Sequence, residues 1–214
     1  MTAPRRTRVK FCGMTSARDV ALAVEAGADA VGVIVAESAR RVPLEGLAEI
    51  AAAIPPLVAR IGVMADQGER EAEALRVLGF TLQFSGDETP ADCAALARGA
   101  PFIKVFQVDA AAGVLDLERC AEYAGALWMF DSRAPGARGG TGTTFDWSVA
   151  LHAARARRII VSGGLTAENV GACVAAVRPY AVDVRSGIET AGKKDPAKMR
   201  AFVGSVGRAS GGDD

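Results

Sequence analysis

The chain has 214 residues, half of them apolar, and its 25 Lys and Arg residues balance 25 Asp and Glu residues. This length and apolar content suit one domain with a sizeable core, which we expect to span residues 1–214. A net charge of zero gives no general attraction to nucleic acid or to acidic membranes, so any anion site must be local.

No segment holds eighteen consecutive apolar residues, and no apolar run of the signal-peptide type follows the basic N-terminus. The four cysteines match neither a zinc pattern nor a CxxC pair. We therefore expect a reduced, cytoplasmic protein with no metal site.

Eight short runs rich in Val and Ile alternate with Ala-rich stretches of helical spacing. Such runs are typical of parallel strands buried on both faces. The predicted strands are 9–12, 30–35, 59–64, 81–84, 102–106, 126–131, 158–161 and 181–184. The predicted helices are 16–25, 44–53, 69–78, 90–97, 115–123, 146–154, 167–177 and 196–206. The small and polar tail, 207–214, is expected to be disordered.

Eight strand–helix repeats in a chain of this size favour the α/β class and a single (β/α)₈ TIM barrel. A doubly wound open sheet is the alternative, but its Gly-rich fingerprint is missing after the first strand, where residues 12–15 read CGMT. Active sites of TIM barrels lie at the C-terminal ends of the strands, so the residues there are the candidate site.

Two reactive side chains end predicted strands. Cys12 ends the first strand, where it is a candidate base or nucleophile. The alternative is that it is a small buried apolar residue. Lys10 of the same strand would favour a thiolate if it points inward, or would extend outward to solvent. Asp131 ends the sixth strand, as a general acid or base or as a cap of the following turn. Asp183 lies inside the eighth strand and needs a partner, for which Lys10 is the candidate.

Three Gly-rich segments follow strands six, seven and eight: 139–142 (GGTG), 162–165 (SGGL) and 186–189 (SGIE). Backbone N–H groups of such loops surround oxyanions, and the loops after strands seven and eight are the usual phosphate site of this fold. The sequence therefore predicts a phosphorylated small molecule as the ligand.

Three further side chains bear on the site. Of Arg40 and Arg41, after strand two, one would clamp a carboxylate or phosphate while the other is solvated. Gln83 ends strand four, where it would donate to a substrate or to neighbouring backbone. His152, the only histidine, falls on a helix away from the strand ends, so acid–base chemistry cannot rest on histidine.

Over nearly its whole length the chain resembles the phosphoribosylanthranilate isomerases of tryptophan biosynthesis. The ordered motifs that carry the resemblance are 10–15 (KFCGMT), 27–32 (GADAVG), 38–40 (SAR), 139–142 (GGTG), 144–148 (TFDWS), 162–165 (SGGL), 178–179 (RP), 182–184 (VDV) and 186–189 (SGIE). Two positions depart from the family pattern: Ser85 stands where a histidine is usual, and Arg185 where a small residue is usual.

The resemblance implies an Amadori rearrangement of N-(5-phosphoribosyl)anthranilate with Cys12 as base and Asp131 as general acid. It implies that Arg40 holds the anthranilate carboxylate. Lys10 and Gln83 are predicted beside the substrate from their positions on strands one and four. No metal and no organic cofactor are implied, because the iminium formed from the substrate is the electron sink. The implied phosphate-binding residues are Gly140, Gly163, Gly164, Ser186 and Gly187.

Two rival hypotheses remain. A related barrel acts on a phosphoribosyl imidazole of histidine biosynthesis, but carries an aspartate at the position of Cys12. A barrel that binds a phosphorylated metabolite without turning it over is supported only by Ser85 and Arg185. We expect a monomer.

Overall fold

A computed structural model of the chain describes residues 6–109, 116–133 and 146–211. Eight parallel strands close into a barrel in chain order, with the last strand pairing with the first. The strands are β1 (Arg8–Cys12), β2 (Ala30–Ile34), β3 (Ala59–Met64), β4 (Thr81–Phe84), β5 (Phe102–Asp109), β6 (Ala126–Arg133), β7 (Ile159–Val161) and β8 (Ala181–Val184).

A helix follows each strand. The helices are α1 (Ala17–Glu25), α2 (Leu47–Ala53), α3 (Glu69–Val77), α4 (Pro90–Ala97), α5 (Leu117–Ala121), α6 (Ser148–Ala156), α7 (Val170–Val177) and α8 (Pro196–Ser210). Several begin at caps that satisfy free backbone N–H groups. Thr89 and Asp92 form a reciprocal capping box at α4, and Asp195 accepts two N–H groups at the start of α8.

The predicted (β/α)₈ barrel is confirmed, and the boundaries differ in informative places. Strands β5 and β6 each run beyond their apolar stretch, which carries polar residues onto the rim. Helix α8 continues to Ser210, so the tail predicted as disordered from 207 onward is helical over 207–210. The end of this helix is tied down because the Ser210 hydroxyl accepts the Thr7 N–H at 3.2 Å.

The core consists of two larger clusters and a small third one at the ends of β1–β3. A large cluster fills the space between strands and helices, and a smaller one plugs the lower half of the barrel. The plug consists of Ile61, Ile103, Val105, Met129, Ile160 and Ala181. Above it lie polar side chains at β6–β8 and the small apolar cluster at β1–β3, and the candidate site begins there. In the part of the chain that the structure describes, no helix is long and apolar enough to cross a membrane.

Candidate active site

A cavity of about 890 Å³ opens at the C-terminal end of the barrel and takes lining residues from all eight strands or their ends. Its two sides differ in chemistry. The apolar half is formed at β1–β3 by Cys12, Ile34, Ala36, Val63 and Ala65. The polar half is formed at β6–β8 by Asp131, Ser162, Gly163, Gly164, Asp183, Arg185 and Ser186.

Cys12 lies in the apolar half and lines the cavity while being only 5% exposed. The thiol and the Lys10 ammonium both lie over Gly32: a methyl group there would be 3.0 Å from Sγ and 3.2 Å from Nζ. The missing side chain at Gly32 therefore leaves the room that brings cation and thiol together. The Lys10 ammonium is therefore placed to offset negative charge on the Cys12 sulfur.

Lys10 points into the barrel and forms a buried ion pair with Asp183, with Nζ 2.5 Å from Oδ1. The predicted pairing is thus confirmed. The Ser162 hydroxyl donates to the other oxygen of Asp183 at 3.0 Å. Burial lowers the pKa of Lys10, but the charges of Asp183 and Cys12 outweigh it and hold the pKa above its ordinary value. Lys10 is 2% exposed and lies under the residues that line the cavity, next to Cys12.

Asp131 lies in the polar half, where β6 meets β5 and β7. Burial, reinforced by the negative charge of Asp183, raises its pKa to about 6, although Arg185 and hydrogen bonds from Gln107 and Ser162 oppose the shift. A carboxyl group with this pKa is partly protonated near neutrality and is able to donate a proton.

The two loops predicted to hold phosphate lie side by side. Gly163 and Gly164 have φ angles of +90° and +61°, which place them in the left-handed region that glycine favours. Both line the cavity together with Ser186. Gly187 instead packs on the neighbouring loop, because a methyl group on it would be 2.0 Å from the Leu165 carbonyl oxygen. The predicted Gly140 lies outside the described residues.

Arg40 sits at the rim beside the loop after β1, but Glu189 holds its guanidinium. Nε donates to one carboxylate oxygen at 2.7 Å, and Nη2 donates to the other. Glu189 also pairs with Lys194 at 2.8 Å. Arg40 therefore belongs to an ion-pair cluster at the rim, outside the cavity lining but close enough to Cys12 for their charges to interact.

Gln83 lines the cavity and is 4% exposed. Its Nε2 donates to the Ser85 hydroxyl at 3.2 Å, and its Oε1 has no partner among the described residues. Ser85, the departure from the family pattern, thus contacts the predicted substrate-binding amide. Sequence reasoning missed Gln107, which hydrogen-bonds Asp131; the signal for it was a polar residue directly after the apolar run of β5.

The other three cysteines are unsuited to chemistry. Burial raises the pKa of Cys93, Cys120 and Cys173 to about 12. Within the described residues no group of three or more His, Cys, Asp or Glu side chains is arranged to hold a metal ion.

Comparison with known proteins agrees with this architecture. Residues 9–205 match the family model described as N-(5'phosphoribosyl)anthranilate (PRA) isomerase. An N-(5'-phosphoribosyl)anthranilate isomerase of Chromohalobacter salexigens is 43% identical over 209 residues, which cover 96% of this chain and 97% of that protein.

Solved structures agree as well. The phosphoribosyl anthranilate isomerase of Thermotoga maritima superposes with a TM-score of 0.83 at 34% identity, covering 94% of this chain and 98% of that one. A further phosphoribosyl anthranilate isomerase, in complex with reduced 1-(o-carboxyphenylamino)-1-deoxyribulose 5-phosphate, has a TM-score of 0.80 at 32% identity with the same coverage. The chain belongs to the family of N-(5'-phosphoribosyl)anthranilate isomerases.

Proposed function

We propose that this enzyme converts N-(5-phosphoribosyl)anthranilate into 1-(2-carboxyphenylamino)-1-deoxyribulose 5-phosphate by an Amadori rearrangement in tryptophan biosynthesis. The observation that carries the proposal is that Cys12 and Asp131 face one cavity from strands separated by β7 and β8. A candidate base therefore lies on one side of a bound sugar and a candidate acid on the other.

The two halves of the cavity accommodate the two ends of this substrate. The aryl ring packs on the apolar half, where Ile34, Ala36, Val63 and Ala65 offer hydrocarbon surface. The phosphate occupies the loops of Gly163, Gly164 and Ser186, whose glycines let backbone N–H groups approach it. This placement leaves C1, C2 and the ring oxygen of the ribose between Cys12 and Asp131.

The first step opens the furanose. Asp131, in its protonated form, gives its proton to the ring oxygen as the bond from that oxygen to C1 breaks. The lone pair of the anthranilate nitrogen forms the C1=N bond of an iminium. Gln107 holds the carboxyl group in place through its hydrogen bond.

In the second step the Cys12 thiolate removes the proton from C2, and the electron pair of that C–H bond forms the C1=C2 bond of an enolamine. The nitrogen recovers its lone pair. Proton return to C1 and loss of the C2 hydroxyl proton then give the ketone. Lys10, whose own charge is balanced by Asp183, offsets the negative charge on sulfur before the C2 proton is taken up.

The remaining assignments stay predictions. Arg40 is expected beside the substrate from the resemblance, and Gln83 and Lys10 from their positions on the strands, although Lys10 and Arg40 lie outside the cavity lining. Gly140 and Gly187 are expected in the phosphate site on the same ground. A monomeric state and a cytoplasmic location are likewise sequence-based expectations.

Complementation tests the function directly. A bacterial strain lacking the tryptophan-pathway isomerase should grow without tryptophan when it expresses this chain. The purified protein should extinguish the fluorescence of N-(5-phosphoribosyl)anthranilate. Growth failure together with no turnover by a folded protein overturns the proposal, and turnover of the phosphoribosyl imidazole substrate instead would favour the histidine-pathway alternative.

A further inference from the structure

Glu189 is a buried carboxylate at the rim that the proposed mechanism does not use. It begins a short strand, β9 (Glu189–Thr190), which pairs with β10 (Lys193–Lys194) in an antiparallel hairpin after β8. Its side chain is only 5% exposed. A carboxylate buried to this degree needs compensating partners, and Glu189 has two cations, Arg40 and Lys194. We call these three side chains the rim cluster.

Glu189 holds one edge of the Arg40 guanidinium group. Nε and Nη2 donate to the two carboxylate oxygens, with Nε 2.7 Å from Oε1. Nη1 makes no hydrogen bond with residues 6–109, 116–133 and 146–211. Since a guanidinium group binds carboxylates through parallel pairs of N–H groups, the outer edge formed by Nη1 and Nη2 keeps a second pair. Arg40 is therefore fixed in direction and is still able to bind a second carboxylate.

The fold places Arg40 next to the candidate base. Gly13 directly follows Cys12 and has a φ angle of +73°. A methyl group on Gly13 would lie 3.1 Å from Cδ of Arg40 and 3.6 Å from Cδ of Arg185, so the missing side chain leaves room for both arginines. Arg40 is also close enough to Cys12 for their charges to interact. The guanidinium group therefore lies at the mouth beside the apolar half, where the proposed function places the aryl ring.

Lys194 keeps the rim cluster positively charged. Arg40 and Glu189 alone would have no net charge and would attract an incoming anion only weakly. The Lys194 ammonium lies 2.8 Å from Glu189 Oε1, and its side chain is 4% exposed, so it adds a second cation to the pair. It also donates to the carbonyl oxygen of Cys12 at 2.7 Å, which fastens the cluster to the end of β1. Glu189 can therefore orient Arg40 without cancelling its attraction for an anion.

We infer that Glu189 is a positioning residue for the aryl carboxylate of the substrate, and that it acts through Arg40 while Lys194 offsets its charge. This inference rests on the proposed function and on the expected role of Arg40, and it adds the residues that orient that arginine before the substrate binds. A purely electrostatic role of Glu189 makes the opposite prediction, because removal of its negative charge would strengthen anion binding, whereas loss of the orientation weakens it. The sign of the change in KM separates the two roles.

Substrate truncation tests the inference. The values of KM and kcat are measured for wild-type protein, Glu189→Gln, Lys194→Gln and the double variant, on N-(5-phosphoribosyl)anthranilate and on the aniline counterpart that lacks the carboxylate. For Glu189→Gln we expect KM of the anthranilate substrate to rise roughly five- to thirtyfold, while kcat and both constants of the aniline counterpart stay within about twofold. Lys194→Gln should also raise KM of the anthranilate substrate, because Glu189 then cancels the charge of Arg40.

Two further comparisons separate position from charge and from folding. The double variant restores the net charge of the rim cluster but not the hold on Arg40, so its KM should stay raised. In an Arg40→Ala background, Glu189→Gln should not reduce the preference for the carboxylated substrate any further, because it acts through Arg40. Glu49→Gln removes an exposed carboxylate from α2 and should leave every constant unchanged.

Four results would overturn the inference. Glu189→Gln could lower KM for the anthranilate substrate, or raise KM equally for the anthranilate and aniline substrates. The double variant could return to the wild-type KM. The effects of Glu189→Gln and Arg40→Ala on the preference could add in full, as expected of a merely structural role.

Binding separates this inference from the proposed function. Calorimetry compares the reduced product analogue with its counterpart lacking the carboxylate, in wild-type protein and in Glu189→Gln. If wild-type protein turned over neither substrate, the proposed function would fail, yet a loss of affinity in Glu189→Gln for the carboxylated analogue alone would still support the positioning role. Equal affinities of the two proteins for the carboxylated analogue would overturn it.

Discussion

The apolar and polar halves of the cavity hold their reactive groups in different ways. In the apolar half Cys12 has hydrocarbon neighbours, and three cations, Lys10, Arg40 and Lys194, lie close enough to interact with a charge on its sulfur. In the polar half Asp131 is surrounded by hydroxyl, amide and charged groups, and burial together with Asp183 keeps its carboxyl partly protonated. The same barrel therefore places cations near a thiol on one side and raises the pKa of a carboxyl group on the other.

The negative charge of Asp183 acts on both halves of the cavity. Asp183 neutralises Lys10 beneath the apolar half, and its negative charge raises the pKa of Asp131 in the polar half. The register of β8 against β1 places Asp183 opposite Lys10, so the coupling follows from how the barrel closes. Variants that change one half and leave the other intact should separate the contribution of the candidate base from that of the candidate acid.

Gly163→Ala should have the largest effect on the polar half. Its methyl group would lie 2.1 Å from the Ser132 hydroxyl oxygen and 2.4 Å from the Ser132 backbone nitrogen, so the loop must move. We expect about 3 kcal/mol less stability in urea denaturation and kcat/KM lower by roughly 100-fold. Gly99→Ala is the control, because φ there is +78° but the space is open; it should cost about 1 kcal/mol and leave kcat/KM unchanged. Equal effects of the two variants would contradict the proposed role of the loop.

Asp131→Asn should stabilise the protein in a pH-dependent way. The folded-state pKa of Asp131 is raised to about 6, so between the unfolded value and pH 6 the folded protein binds more protons and wild-type stability falls as pH rises. Above pH 6 the Asp131 carboxylate is charged in the folded protein, and its burial then lowers the free energy of unfolding by the full amount. We expect Asp131→Asn to gain about 1–2 kcal/mol at pH 8 and to lose most of this gain at pH 4.5.

Chemical denaturation at the two pH values measures this gain. Glu37→Gln, at an exposed carboxylate of the cavity mouth, is the control and should change stability by less than about 0.5 kcal/mol at both. A gain of the same size at both pH values would mean that the ionisation of Asp131 is not its source.

Val63→Thr should have the smallest effect, and it tests the apolar half. The side chain lines the cavity and is 7% exposed, so the variant keeps the shape but places a hydroxyl group against the aryl ring. We expect KM to rise by roughly three- to tenfold with kcat preserved, for substrates with and without the carboxylate. The same exchange at Val203 on α8 should change neither constant. An unchanged KM for Val63→Thr would show that the ring does not contact this wall.

The strand-end residues were predictable because the barrel rule depends only on where apolar runs stop. Cys12, Asp131, Gly163, Gly164 and Ser186 were all located in this way, and the structure brings them to one cavity. The pairing of Lys10 with Asp183 followed from the closure of β8 on β1.

Other features depend on contacts that no local pattern contains. The ion pair between Arg40 and Glu189 joins loops 149 residues apart in sequence. Gln107 reaches the rim only because β5 continues past its apolar run, and α8 extends to Ser210 because a contact with Thr7 secures its end. The direction of Arg185 was equally open, since it depends on how the loops after β8 and β1 pack.

The acid–base pair is tested most directly by kcat/KM on N-(5-phosphoribosyl)anthranilate for Cys12→Ser and Asp131→Asn, with Cys173→Ala as the buried-cysteine control. The division of chemistry between the two halves predicts a loss of roughly 10²- to 10⁴-fold for each of the first two variants. The control should stay close to wild type. A Cys12→Ser or Asp131→Asn protein that keeps near wild-type kcat/KM would contradict the assignment.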